Sequence, residues 1–220
     1  MSEPCSTNFV IGISSTSGGG KTTLVKKAAE LLDNAATLFL DDYDHEMVSP
    51  KDMDRWLKNG ADMNEWKTPS FARDVRALRN GESVVSPVDG TPIQATKFIV
   101  IEEPSGRTRD EMAESIDFMV LIDTPLEIGF ARRLLRSMEN ISFEGIEEAT
   151  KEELAKAIKD IVEFLRGEAS QFLDTWRAIY IEVQKQVEPS CDLILDGCLP
   201  VDELAKQLVE AVKKRRKSLA

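Results

Sequence analysis

The run Ser14-Ser15-Thr16-Ser17-Gly18-Gly19-Gly20-Lys21-Thr22-Thr23 constrains this chain more than any other segment. It follows the apolar stretch Phe9-Val10-Ile11-Gly12-Ile13 and opens onto the helical pattern Leu24-Val25-Lys26-Lys27-Ala28-Ala29-Glu30-Leu31-Leu32. A strand, a glycine-rich turn and a helix in that order bring backbone N–H groups to a helix N-terminus, where they can surround an anion without an intervening Cβ. A lysine after the last glycine can reach the β- and γ-phosphates of a nucleotide, and the next hydroxyl can ligate Mg²⁺. Ser17, Gly18, Gly19, Gly20, Lys21, Thr22 and Thr23 are therefore the expected nucleotide cradle. The strict pattern has glycine at position 15, where this chain has Ser15.

Apolar segments at 9–13, 37–40, 98–101, 118–122 and 193–195 read as strands buried on both faces, the habit of a parallel sheet. Helical spacing at 21–32, 126–138, 151–187 and 201–214 separates them. This alternation predicts an α/β fold with a five-stranded parallel sheet flanked by helices. The chain of 220 residues suits a single domain. The stretch 43–96 is too long for a simple crossover and carries two helical patterns, at 50–58 and 70–80, so it reads as an inserted substrate lobe. A polar stretch at 137–150 is a candidate lid, with a plain surface loop as the alternative.

Composition narrows the partners. A net charge of -11 argues against a general nucleic-acid binder, which needs a basic face to release counterions from phosphates. The cluster Lys213-Lys214-Arg215-Arg216-Lys217 is read as solvated charge at a helix end. No stretch approaches the roughly 20 apolar residues of a membrane span, and the first residues show no targeting pattern, so a cytoplasmic protein is expected. Cys5, Cys191 and Cys198 form no C-x-x-C pair and are read as free thiols.

Acidic residues stand where chemistry would occur. Asp41-Asp42-Tyr43-Asp44 follows the second apolar segment, at the carboxyl end of a parallel strand, where open α/β sheets put their ligands. A carboxylate there can take the proton of an acceptor hydroxyl. The third strand ends in Ile101-Glu102-Glu103, four apolar residues followed by an acid that can help hold Mg²⁺. Neighbouring strand side chains face opposite ways, and Glu102 is chosen over Glu103. Arg132 and Arg136 can share a helix face and stabilise transferring phosphate charge, with Arg107 and Arg109 ranked behind them. His45 is the only histidine and is read as a loop residue with at most a substrate contact. Asp41, Tyr43 and Trp66 are the residues expected against an acceptor, core packing being the alternative for Trp56 and Trp66. The long pattern at 151–187 carries one apolar stripe, read as docked on the body, with a homodimer seam as the alternative.

These motifs, in this order, resemble the uridine kinase and phosphoribulokinase-like group of phosphate-loop kinases, with the opening half similar to nicotinamide riboside kinases. The resemblance rests on Ile11-Gly12-Ile13-Ser14 leading to Gly20-Lys21-Thr22-Thr23-Leu24, on Asp41-Asp42-Tyr43 and on Ile101-Glu102. It continues through Leu121-Ile122-Asp123-Thr124 and Ala131-Arg132-Arg133-Leu134-Leu135-Arg136 to Cys191-Asp192-Leu193-Ile194-Leu195-Asp196-Gly197. The resemblance implies ATP-dependent phosphorylation of a small-molecule hydroxyl, a nucleoside or riboside. It further implies Asp41 as general base, Lys21 on the phosphates, Arg132 and Arg136 near them, and Thr22 with Glu102 on Mg²⁺. Two departures stand out. Val88-Asp89-Gly90-Thr91-Pro92 occurs where uridine kinases carry a tyrosine and then a histidine, and Ser137-Met138-Glu139-Asn140-Ile141-Ser142 replaces the arginine-rich lid. A nucleotide-dependent switch or ATPase acting on a protein partner is the competing expectation.

Overall fold

The computed structural model describes residues 7–139, 141 and 149–218. Most of the expected lid, residues 140 and 142–148, lies outside them. The first strand, β1 (Phe9–Ser14), is buried along its whole length, and the glycine-rich loop leads into α1 (Lys21–Leu31). Strand β2 (Ala36–Leu38) is followed by a 3₁₀ turn over Leu40–Glu46. The expected strand at 37–40 is thus shifted and shorter, because Leu40 already belongs to the turn that carries the aspartates.

Between β2 and the next sheet strand lie α2 (Met53–Lys58), α3 (Pro69–Arg79) and a small hairpin of β3 (Val84–Val85) and β4 (Pro92–Ile93). Helix α2 starts three residues later than expected, where the Asp52 carboxylate accepts the Arg55 N–H at 2.9 Å as an N-cap. Helix α3 opens on Pro69, at a position where the missing N–H costs nothing. Strand β5 (Phe98–Glu102), the short α4 (Asp110–Ala113) and β6 (Phe118–Asp123) come next. The chain continues through α5 (Leu126–Glu139), α6 (Lys151–Gln171), α7 (Arg177–Val187), β7 (Leu193–Asp196) and α8 (Val201–Lys217).

The sheet is parallel, in the order β2-β5-β1-β6-β7, with β1 at its centre. Alternate residues of each strand feed opposite cores. Ile11, Ile13, Val100 and Val120 pack with Leu24, Val25 and Ala28 of α1 and Leu204 and Leu208 of α8. Val10, Ile99, Ile101 and Met119 pack with Phe71, Val75 and Leu78 of α3 and Met112 of α4. A strand covered on both faces can be apolar at every position, which is why these segments are readable in the sequence.

The long pattern at 151–187 is helical throughout but not uniform. A π turn over Phe172–Trp176 separates α6 from α7, whereas Gly167 lies within α6 and does not break it. The turn sits where Phe172 stacks on Phe130 of α5, with ring centroids 4.4 Å apart, and Arg133 pairs with Glu168 at 2.9 Å. The expected docking of the stripe holds only from this turn onward, where Phe172 is buried. Ile179 and Val187 are buried, but α6 has no buried residue and Ile158 is 62% exposed.

Candidate functional site

A cavity of about 600 Å³ opens at the carboxyl ends of β1, β5 and β6. The glycine-rich loop forms its floor. Gly18 and Gly20 have φ of 77° and 101°, in the left-handed region that glycine adopts without strain. A Cβ on Gly18 would also lie 2.1 Å from the carbonyl oxygen of Gly129, so the loop rests directly on the first turn of α5. Thr124 Oγ1, just past the end of β6, donates to the Gly19 carbonyl at 3.1 Å and ties the loop there as well.

Lys21 crosses this floor. Its Nζ donates to the Ser15 and Thr16 carbonyls at 3.0 and 3.2 Å and stands 3.7 Å from Glu102 Oε1. Burial pushes its pKa below the usual lysine value, opposed by the charges of Glu102 and Asp41 and assisted by Arg136. Thr22 Oγ1 donates to Glu102 Oε2 at 3.0 Å. Burial raises the Glu102 carboxyl against the pull of Lys21 and Thr22. A hydroxyl and a carboxylate held together beside a lysine suit a divalent cation that completes its shell with phosphate oxygens and water. Among the described residues no three His, Cys, Asp or Glu side chains cluster into a ready-made cation cage. Thr22 Oγ1 and the Glu102 carboxylate are the oxygen donors that could hold Mg²⁺ here.

Asp41 lines the same cavity, as do Ser17, Thr23, Arg132, Arg136 and Trp66. Asp42 and Asp44 have raised pKa values, from burial first and then from the negative charge of Asp41. Arg132 Nη2 donates to the Gly197 carbonyl at 3.3 Å. An apolar cluster of Met63 and Trp66 with Trp176, Ile179 and Val183 of the π turn and α7 also lines the cavity. Trp176 stacks on Tyr180, whose side chain lies beside Ser17, and Gln184 lies further along the same helix face.

Several expected residues stand elsewhere. Tyr43, expected against an acceptor, is 1% exposed; its hydroxyl donates to Asp74 Oδ2 at 2.9 Å and its ring packs edge-on to Phe71. It belongs to the core because the 3₁₀ turn points it inward while Asp41 faces the cavity. Arg107 binds Asp192, the Ser190 carbonyl and the Ile116 carbonyl, away from the loop. Arg109 lines the cavity but spends its guanidinium on protein: Nη1 donates to Thr68 Oγ1 at 2.8 Å and Glu111 Oε1 at 2.9 Å, and Nη2 pairs with Glu103. Glu103 thus turns away from Thr22, on the side opposite Glu102. His45 is exposed and does not line the cavity. Trp56 is buried, with Nε1 donating to the Asp62 carbonyl at 2.9 Å, so it packs while Trp66 faces the cavity.

Trp176, Tyr180 and Gln184 are cavity residues that the sequence motifs do not single out. Their spacing of four is the available signal, since it puts one indole, one phenol and one amide on a single helix face.

No family model matches the chain. A uridine kinase of Borrelia duttonii (strain Ly) is 24% identical over 196 residues, covering 84% of this chain and 85% of the relative. A uridine kinase of Listeria monocytogenes serotype 4a (strain HCC23) is 29% identical over 147 residues, covering 60% of this chain and 68% of the relative. Among solved structures, one titled as a possible uridine kinase from Bacillus stearothermophilus aligns with a TM-score of 0.49 at 16% identity, covering 89% of this chain and 92% of that one.

Proposed function

The chain is uridine kinase-like in sequence, and from the geometry of its cavity we propose that it transfers the γ-phosphoryl group of ATP to a hydroxyl of a nucleoside or riboside. The observation that carries this reading is the meeting of Lys21, Thr22, Asp41 and Glu102 around one cavity, with Lys21 and Glu102 each responding to the charge of Asp41. The triphosphate lies on residues 15–23, where the loop amides and Lys21 take up its charge. Thr22 and Glu102 would hold Mg²⁺, which would supply positive charge to offset that of the phosphates. The acceptor occupies the segment 43–96 side of the cavity, its ring against Trp66 and Trp176 and its hydroxyl toward Asp41. Asp41 takes the hydroxyl proton as the new O–P bond forms and the bond to the β-phosphate oxygen breaks, releasing ADP. Arg132 and Arg136 approach the transferring phosphoryl from α5.

The test is ADP release by the wild type with and without a panel of ribosides and small polyols. A kinase releases ADP in step with phosphorylated acceptor, whereas slow hydrolysis indifferent to every acceptor would sink the proposal in favour of a nucleotide-dependent switch. Lys21→Ala should lower the rate about 10²-fold, on the order of 3 kcal/mol of transition-state stabilisation.

A further inference from the structure

Ser15 occupies the place of the first glycine in the strict loop pattern, and the structure supplies a reason that the pattern does not. Neither Ser15 nor Gly19 has a positive φ, so backbone strain calls for glycine at neither position. Space decides instead. Ser15 is 6% exposed, and its hydroxyl donates to the Ile122 carbonyl at the end of β6, at 2.9 Å. A Cβ on Gly19 would lie 1.8 Å from Ser15 Oγ and 2.8 Å from Ser15 Cβ. One side chain fits beneath the loop, and it is the one on residue 15. The carbonyl of Ser15 also accepts Lys21 Nζ at 3.0 Å. The residue therefore joins the end of β6 to the lysine ammonium, with its side chain on one and its backbone on the other.

We propose that Ser15 is a positioning residue of the phosphate loop, sterically matched to Gly19, and that it acts through Lys21. The hydroxyl pins the loop to β6, which fixes the carbonyl that aims the ammonium across the cradle. Gly19 is the space this arrangement requires. The inference rests on the ATP-binding reading above.

Binding of ATP–Mg²⁺ by calorimetry, KM for ATP and for acceptor, and thermal unfolding of the free protein would be measured for S15A, G19A and S15G/G19A. S15A should weaken ATP–Mg²⁺ binding a few-fold, since Ile122 keeps the Thr124 N–H as a donor at 3.1 Å. Gly19→Ala should weaken it about tenfold or more, because the clash lies within a closely packed interior. The double variant should recover part of that loss, the shortfall coming from the missing Ser15 hydroxyl and from the Thr16 carbonyl, 3.0 Å from the new Cβ. KM for the acceptor should not move in any of the three, which separates positioning of the loop from general loosening of the fold. Wild-type affinity in G19A, or a double variant no tighter than G19A, overturns the proposal. If the wild type binds no ATP–Mg²⁺, the kinase reading fails, and the pairing is judged by unfolding alone: S15G/G19A melting above G19A supports it, and equal melting refutes it.

Discussion

Replacing Arg109 by Met removes one half of a buried ion pair and should destabilise the protein severely without emptying the nucleotide site. Arg109 and Glu103 have side-chain exposures of 2% and 0%. After the substitution Glu103 keeps a single donor, the Ser105 N–H at 3.1 Å, while Thr68 Oγ1 loses its guanidinium donor. Breaking a buried pair from one side costs about 3–5 kcal/mol, because the remaining charge keeps its desolvation penalty and loses its compensation. The lower end applies here. Burial already raises the Glu103 carboxyl above its usual range, so the orphaned group can shed its charge by taking a proton. For a chain of this size about 3 kcal/mol corresponds to a fall in Tm of about 6–12 °C. Thermal unfolding followed by circular dichroism reads this directly. Glu103→Leu combined with Arg109→Met should recover at least half of the loss, since an apolar pair of similar volume carries no desolvation penalty. A single variant melting within 2 °C of wild type, or a double variant no better than the single, would refute the account of Arg109 as a structural cation (about 1 kcal/mol being the smallest effect resolved that way).

Two further outcomes concern groups the cavity does not use. Tyr43→Phe leaves buried Asp74 with the Arg73 Nε as its remaining donor at 2.9 Å, and should cost about 1–3 kcal/mol of stability. The acceptor KM should stay at its wild-type value; a raised KM with unchanged Tm would return Tyr43 to the acceptor. Burial pushes the Cys191 thiol up to about 11, so it should resist a thiolate-selective reagent at pH 8 and react as pH approaches that value. The sign for stability is the opposite: a folded pKa above the unfolded one means stability is lost as pH rises through about 11. Peptide mapping of the labelled protein checks it, and ready modification of Cys191 at pH 8 would contradict the burial argument.

The parallel sheet is legible in the sequence because its central strands β1, β5 and β6 are buried on both faces and apolar at nearly every position, so that they stand out against their surroundings. The gathering of Lys21, Thr22, Asp41, Glu102, Arg132, Arg136 and Trp66 around one cavity is legible for a different reason. Parallel strands deliver the residues at their carboxyl ends to a common edge, so residues just past Ser14, Leu38 and Ile101 must converge. Which way each side chain turns there is not legible. Asp41 and Tyr43 are two residues apart, and only the 3₁₀ geometry of Leu40–Glu46 sends one to the cavity and the other to the core. Arg109 shows the same gap from the other side, since its partners Thr68, Glu103 and Glu111 are spread over some forty residues and no local pattern announces them.

The π turn marks the deepest limit of periodicity as a guide. Leu154, Ile158, Ile161, Leu165, Ala169, Phe172, Trp176, Ile179 and Val183 form one stripe only if the helix is uniform, and a single wide turn over Phe172–Trp176 shifts the phase of α7 relative to α6. That shift lets Phe172 stack on Phe130 of α5 while Trp176 and Ile179, one turn later, face the cavity. The pattern that reads as one docking surface thus serves two directions, and the residue that changes direction is invisible to spacing because the inserted turn leaves the apolar count intact.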